Sequence, residues 1–107
     1  MKKMILVALA VFALGTAQAK TVKTTFPVSG KCGMCEKRIE KAAKAVPGVI
    51  AANYSLDKQE LSLVYDNKKT DPKKVQQAIA AVGHDAGDVK ATDEAYNALH
   101  GCCKYRK

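Results

Sequence analysis

The chain has no tryptophan among its 107 residues, and four tyrosines and two phenylalanines supply all of its large aromatic rings. Binding of single-stranded nucleic acid uses such rings interleaved with basic side chains, and no interleaved pattern occurs. Catalytic signatures are missing as well. There is no Ser-His-Asp pattern, no paired-carboxylate motif and no phosphate loop, so no enzyme activity is expected. No low-complexity segment is present. Acidic residues are scarce, ten against eighteen Lys and Arg, which gives a formal charge of +8. A basic surplus of this size favours solubility and steers a protein toward an acidic partner or an anionic surface.

Apolar runs are few. One lies at the start, "MKKMILVALAVFALGTAQA", where Lys2 and Lys3 precede an apolar stretch from Met4 to about Leu14. That stretch is well short of the roughly 20 residues a spanning helix needs. Ala17-Gln18-Ala19 closes it with a small-x-small site. Residues 1–19 thus have the pattern of a secretory signal peptide, cleaved before Lys20. Export is expected, with the periplasm as destination, and export argues against a nucleic-acid partner. No other stretch is long and apolar enough to cross a membrane, so no insertion is expected after cleavage. Residues 20–91 then form one small domain, followed by a tail over residues 92–107.

The patterning of the domain alternates between periods of two and 3.6. Residues 23–28, "KTTFPV", read as a strand, with Pro27 at an edge or end. Cys35, Ile39, Ala42, Ala43 and Val46 make one helical apolar stripe, which Pro47-Gly48 ends. Ala52, Tyr54 and Leu56 alternate with Asn53 and Ser55, and after "DKQE" Leu61, Leu63 and Tyr65 alternate with Ser62 and Val64, predicting a hairpin. Asp71 is an N-cap with Pro72 behind it, for a helix whose inner face holds Val75, Ala78, Ile79 and Val82 and which Gly83 stops. "HDAGDVKA" is the only material for a last strand, and it is weak. "TDEAYNALHG" reads as a short extra helix, capped by Thr92 and closed by Gly101. The order βαββαβ predicts an α+β, ferredoxin-like fold with a short C-terminal helix.

The four cysteines sit in two stretches, "KCGMC" at 31–35 and "GCCK" at 101–104. Cys32 and Cys35 span a loop and the first turn of a helix. The unpaired N–H groups and the dipole there favour thiolate. Two neighbouring thiolates are a soft donor pair suited to Cu(I), Hg(II), Cd(II) or Zn(II). Zinc wants four ligands, whereas Cu(I) and Hg(II) accept two, so the pair alone favours the latter. A thiol-disulfide redox couple and a structural disulfide are the competing readings of the same spacing. The absence of Trp and of a suitably placed proline weakens the first, and the shortness of the loop weakens the second.

The segment "FPVSGKCGMCEKRIEKAAKAVPGVIAANYSLDKQELSLVYD…VQQAIAAVGHD" resembles the heavy-metal-associated (HMA) domain family over roughly residues 22–90. That family includes copper chaperones, domains of copper-transporting P-type ATPases and the periplasmic mercuric-ion-binding protein. The resemblance implies a ferredoxin-like fold, a soft metal on Cys32 and Cys35, and transfer to a partner by ligand exchange through three-coordinate thiolate intermediates. Cu(I) is the expected metal, with Hg(II) or Zn(II) as alternatives. The implied partner is a metal donor or acceptor such as a P-type ATPase metal domain or another transporter. The chain is expected as a monomer or a metal-bridged dimer. One departure is visible: the family usually carries Met two residues before the first cysteine, where this chain has Gly30. A Met lies instead between the cysteines, at Met34, whose thioether is a candidate contact for a soft metal or a partner, or else fills the loop.

Four further features belong to the site question. His84, after the second helix, is a candidate third ligand or a proton-operated gate, or else a solvated group or one that supports the ligands without touching the metal. Cys102 and Cys103 lie beyond the resemblance, beside His100; they are candidate extra ligands of a four-thiolate or multinuclear Cu(I) site if the tail folds back, or else a separate weaker metal site, a disulfide to a partner, or packing groups of the tail helix. Tyr96, Leu99 and Tyr105 are expected to pack. Lys37, Arg38, Lys41 and Lys44 are a candidate docking face for an acidic partner, or an ordinary solvated helix face.

Overall fold

A computed structural model describes residues 20–106 of the chain. The leader expected over residues 1–19 lies outside the described residues. Strand β1 runs Thr21–Pro27, helix α1 Gly33–Lys44, strands β2 and β3 Val49–Ser55 and Glu60–Asp66, and helix α2 Pro72–Ala81. A short helix α3, Asp93–Asn97, and a 3-10 turn, Gly101–Cys103, follow. The three strands make one antiparallel sheet in the order β1-β3-β2. This is the ferredoxin-like α+β arrangement that the periodicities predict.

The sheet has one buried face because its side chains alternate. Phe26, Ala52, Tyr54, Leu61, Leu63 and Tyr65 point into a single apolar cluster, with Asn53 and Ser62 between them facing out. Helix α1 adds Cys35, Ile39 and Ala43 to that cluster, and α2 adds Val75 and Ile79. Burying each Leu or Ile contributes on the order of 1.5–3 kcal/mol. Asp71 caps α2 as expected, its carboxylate accepting from the Lys74 N–H at 2.9 Å. Val82 does not belong to the inner face. It is the C-cap of α2, past the last helical turn, and is exposed, while Ala80 is buried instead.

The last strand of the expected βαββαβ order is reduced to a bridge. Ser29 N–H donates to Asp85 O at 2.9 Å and Gly87 N–H to Pro27 O at 2.8 Å, pairing Val28 with Ala86. The chain then folds on itself, with Ala86 and Val89 exchanging two backbone hydrogen bonds of 2.9 Å. Val89 is the segment's one β-branched residue, too little to carry a longer strand.

The tail does fold back. Thr92 caps α3, accepting from the Ala95 N–H at 3.1 Å. The helix stops at Asn97, so Gly101 does not close it but opens the 3-10 turn. Gly83 permits the docking of α3. Its φ of +106 suits glycine, and a Cβ there would stand 2.9 Å from both the Ala95 carbonyl and Leu99 Cδ2. Tyr96, Leu99 and Cys103 join the core cluster, as the packing role of Tyr96 and Leu99 requires.

Candidate metal centre

Cys32 occupies the N-cap position of α1 in extended conformation, φ −152 and ψ 177. Cys35, one turn in, is fully buried, whereas Cys32 is half-buried. Their Sγ atoms stand 3.7 Å apart. The backbone N–H of Cys35 holds the Cys32 thiol down to about 7, against the effect of burial, with help from Cys103 and the Cys35 side chain. The helix start thus makes Cys32 a readily ionised thiol.

The tail brings the other two cysteines to the same place. Cys103 Sγ lies 3.6 Å from Cys32 Sγ across 71 residues of sequence, and 3.9 Å from Cys102 Sγ. The Cys102 thiol donates to Met34 Sδ at 3.7 Å. Burial pushes the Cys103 thiol up to about 12, and hydrogen bonding to the surrounding thiols pushes the same way. Burial and the neighbouring thiols thus hold the proton on Cys103, which is in hydrogen-bond contact with Cys32. All four cysteines are free thiols. Among the described residues, Cys32, Cys102 and Cys103 form a cluster whose sulfurs lie within 4.8 Å of one another. The spacings fit a soft metal: ligands about 2.3 Å from a shared tetrahedral ion stand roughly 3.8 Å apart.

Three other candidates are placed by the fold. His84 is fully buried, with Nδ1 2.8 Å from Ser29 O and its ring stacked on Tyr105 at 5.6 Å. It is not a member of the thiol cluster. Burial holds its pKa below the ordinary 6.5, opposed by the Ser29 carbonyl. Lys37, Lys41 and Lys44 are exposed along α1. Arg38 differs: it is half-buried, and its Nη1 is enclosed without a hydrogen-bond partner. The exposed basic row on α1 is therefore made of the three lysines.

Gly30, the position where the resemblance implies Met, lies against Tyr54. A Cβ there would approach Tyr54 Oη to 2.8 Å and two ring carbons to 3.2 Å. The Tyr54 hydroxyl donates to Val28 O at 2.7 Å, and its backbone N–H donates to a Glu40 carboxylate oxygen at 2.8 Å. Tyr54 thus occupies the room beside the metal loop. The alternation of β2 puts Tyr54 on the buried face, but nothing in the sequence pairs it with Gly30. Equally unsigned is the latch that seats the tail. Tyr105 bonds to Gly83 O at 2.7 Å, and Arg106 reaches Asp85 at 2.9 Å, Asp93 at 3.1 Å and Ala91 O at 2.7 Å.

With that geometry in place, comparison with known proteins is informative. The model of the heavy-metal-associated domain matches residues 25–85. The chain is 32% identical over 80 residues to the copper-exporting P-type ATPase of Bacillus subtilis (strain 168), covering 74% of this chain and 10% of that protein. It thus spans about a tenth of the length of that relative. The structure of the CopZ metallochaperone is similar with a TM-score of 0.59 at 29% identity, covering 61% of this chain and 98% of that one. The crystal structure of oxidized MerP from Ralstonia metallidurans CH34 gives a TM-score of 0.61 at 26% identity, covering 64% and 96%. Matched across the Cys32–Cys35 loop, both main helices and the hairpin, the chain belongs to the heavy-metal-associated domain family.

Proposed function

We propose that this protein carries Cu(I) on Cys32 and Cys35 and passes it to a partner by thiolate exchange. The observation that carries the reading is the pair itself: two thiol sulfurs 3.7 Å apart at the start of α1, one of them held down to about 7. A soft monovalent ion suits two thiolates and asks for no further ligand. Half-buried Cys32 is the point of exchange, and buried Cys35 the anchor. In transfer, a thiolate of the partner forms a third bond to the ion, the bond to Cys32 breaks, and a second partner thiolate then replaces Cys35. No electron moves and no organic bond is cut, so the role is that of a carrier and not of an enzyme.

The partner we favour is a related metal-binding domain of a copper-exporting P-type ATPase, because the chain is similar to that class of protein. The lysine row 37, 41 and 44 gives it a surface for acidic residues. The pattern of residues 1–19 supports export, with the periplasm as the place of action. Hg(II) is the second reading, favoured by the similarity to MerP and by the same two-thiolate chemistry. Mixing the Cu(I)-loaded protein, without oxygen, with the metal-free domain of such an ATPase tests the carrier reading. Copper should redistribute between the separated proteins. Copper that stays on the donor, combined with Hg(II) held in preference to Cu(I), would favour the scavenger.

A further inference from the structure

Five sulfur atoms form a continuous row in this structure. Cys35 is 3.7 Å from Cys32, Cys32 is 3.6 Å from Cys103, Cys103 is 3.9 Å from Cys102, and Cys102 is 3.7 Å from Met34. The last three members come from outside the pair that the family resemblance assigns, and two of them from outside the matched residues 25–85. Each spacing is close to the roughly 3.8 Å expected of sulfurs sharing one ion at bonds of about 2.3 Å. The row is therefore close enough for neighbouring sulfurs to share an ion.

The row does not close into one four-thiolate cage. Cys32, Cys102 and Cys103 lie within 4.8 Å of one another, but Cys35 does not lie within that distance of all three. Cys35 joins the group through Cys32 and also hydrogen-bonds to Cys103. Cys32 is thus common to two sets of donors. One is Cys32 with Cys35. The other is Cys32 with Cys103 and Cys102, with the thioether of Met34 beside Cys102.

The arrangement is built and not accidental to a loose end. Cys103 is fully buried in the core cluster. Tyr105 and Arg106 fasten the chain just beyond it through five hydrogen bonds of 2.7–3.1 Å to Gly83, Asp85, Ala91 and Asp93. Cys102 remains exposed, and Met34, also exposed, faces it on the metal loop. Soft donors, a fixed backbone and an open side for ion entry come together there.

We infer that the tail supplies a second soft-metal position, Cys32–Cys102–Cys103 with Met34, so that one chain binds two Cu(I) ions bridged by the Cys32 thiolate. This rests on the reading of Cys32 and Cys35 as a soft-metal pair. Each thiol loses its proton to solvent on binding, and the ions stay monovalent. An anaerobic titration with Cu(I) against a chromophoric Cu(I) chelator, with X-ray absorption at the copper edge, tests it. The protein should take up two equivalents as a monomer and show a short copper–copper vector. Cys102→Ser, at an exposed position, should leave one equivalent and no such vector. Cys102→Ser/Cys103→Ser should do the same, with circular dichroism confirming the fold. A single equivalent in the unaltered protein, lost with Cys32→Ser/Cys35→Ser, would overturn the second position while leaving the carrier reading intact. Two equivalents retained by Cys102→Ser/Cys103→Ser, or two held only by a dimer, would overturn it too. No uptake at all would overturn both.

Discussion

The Tyr105 hydroxyl donates to the Gly83 carbonyl at 2.7 Å and accepts from the Asp85 N–H at 2.9 Å. One oxygen therefore ties the end of the chain to the loop after α2. Tyr105→Phe removes it and leaves both backbone groups without that partner, at a cost of about 1–3 kcal/mol. The expected result is a lower denaturant midpoint and faster proteolysis or hydrogen exchange over residues 99–106. Unaltered protection of those amides would contradict the latch.

Gly30 and Tyr54 share one space. Gly30→Ala places a methyl 2.8 Å from Tyr54 Oη, and overpacking of this kind costs about 1–3 kcal/mol. Tyr54→Phe loses the bond to Val28 O but frees the closest atom. The two substitutions together should therefore destabilise less than the sum of their separate effects. Equilibrium unfolding of the single and double variants measures that coupling, and strict additivity would count against the shared space.

The thiols titrate apart. Cys32 has its ordinary 9.0 when unfolded and about 7 when folded, so the reduced, metal-free protein holds fewer protons than the unfolded chain between those values. Stability should rise with pH from 7 to 9 and be lost as pH falls through 7. Cys103, pushed up to about 12, has the opposite effect above pH 9. Melting of the reduced protein across this range should show a maximum near pH 9, and Cys32→Ser should flatten its rising side. Alkylation followed by mass spectrometry at pH 7 should label Cys32 well before Cys103.

Lys37, Lys41 and Lys44 form an exposed row on α1, next to the metal loop. Replacing all three with Glu should slow copper transfer to an acidic partner domain by about tenfold or more at low salt, through the association rate. The difference should shrink as ionic strength approaches the physiological range, where the screening length is about 8 Å. Copper affinity of the isolated variant should not change. Equal transfer rates at low salt would remove the lysines from docking.

The fold was legible where periodicity is strong. Cys35, Ile39, Leu61, Leu63, Val75 and Ile79 all lie in the core that their spacing implied. The last strand was not, because its segment has one β-branched residue and pairs only at Ala86. Cys32 and Cys35 were visible as a pair, since three residues of spacing at a helix start fix their proximity. The contact of Cys32 with Cys103 depends on Gly83, Tyr105 and Arg106, three residues whose joint action has no local pattern. His84 was visible as a polar residue at the right end of the fold, but its burial against Ser29 O and Tyr105 is set by that same tail. Arg38 looked like its lysine neighbours until the fold enclosed its Nη1.

Cu(I) affinity under reducing conditions, compared between the unaltered protein and Cys32→Ser/Cys35→Ser, tests the central claim most directly. The account predicts tight binding by the first and a loss of at least a hundredfold, about 2.7 kcal/mol, in the second. Full Cu(I) affinity in the double variant would contradict it.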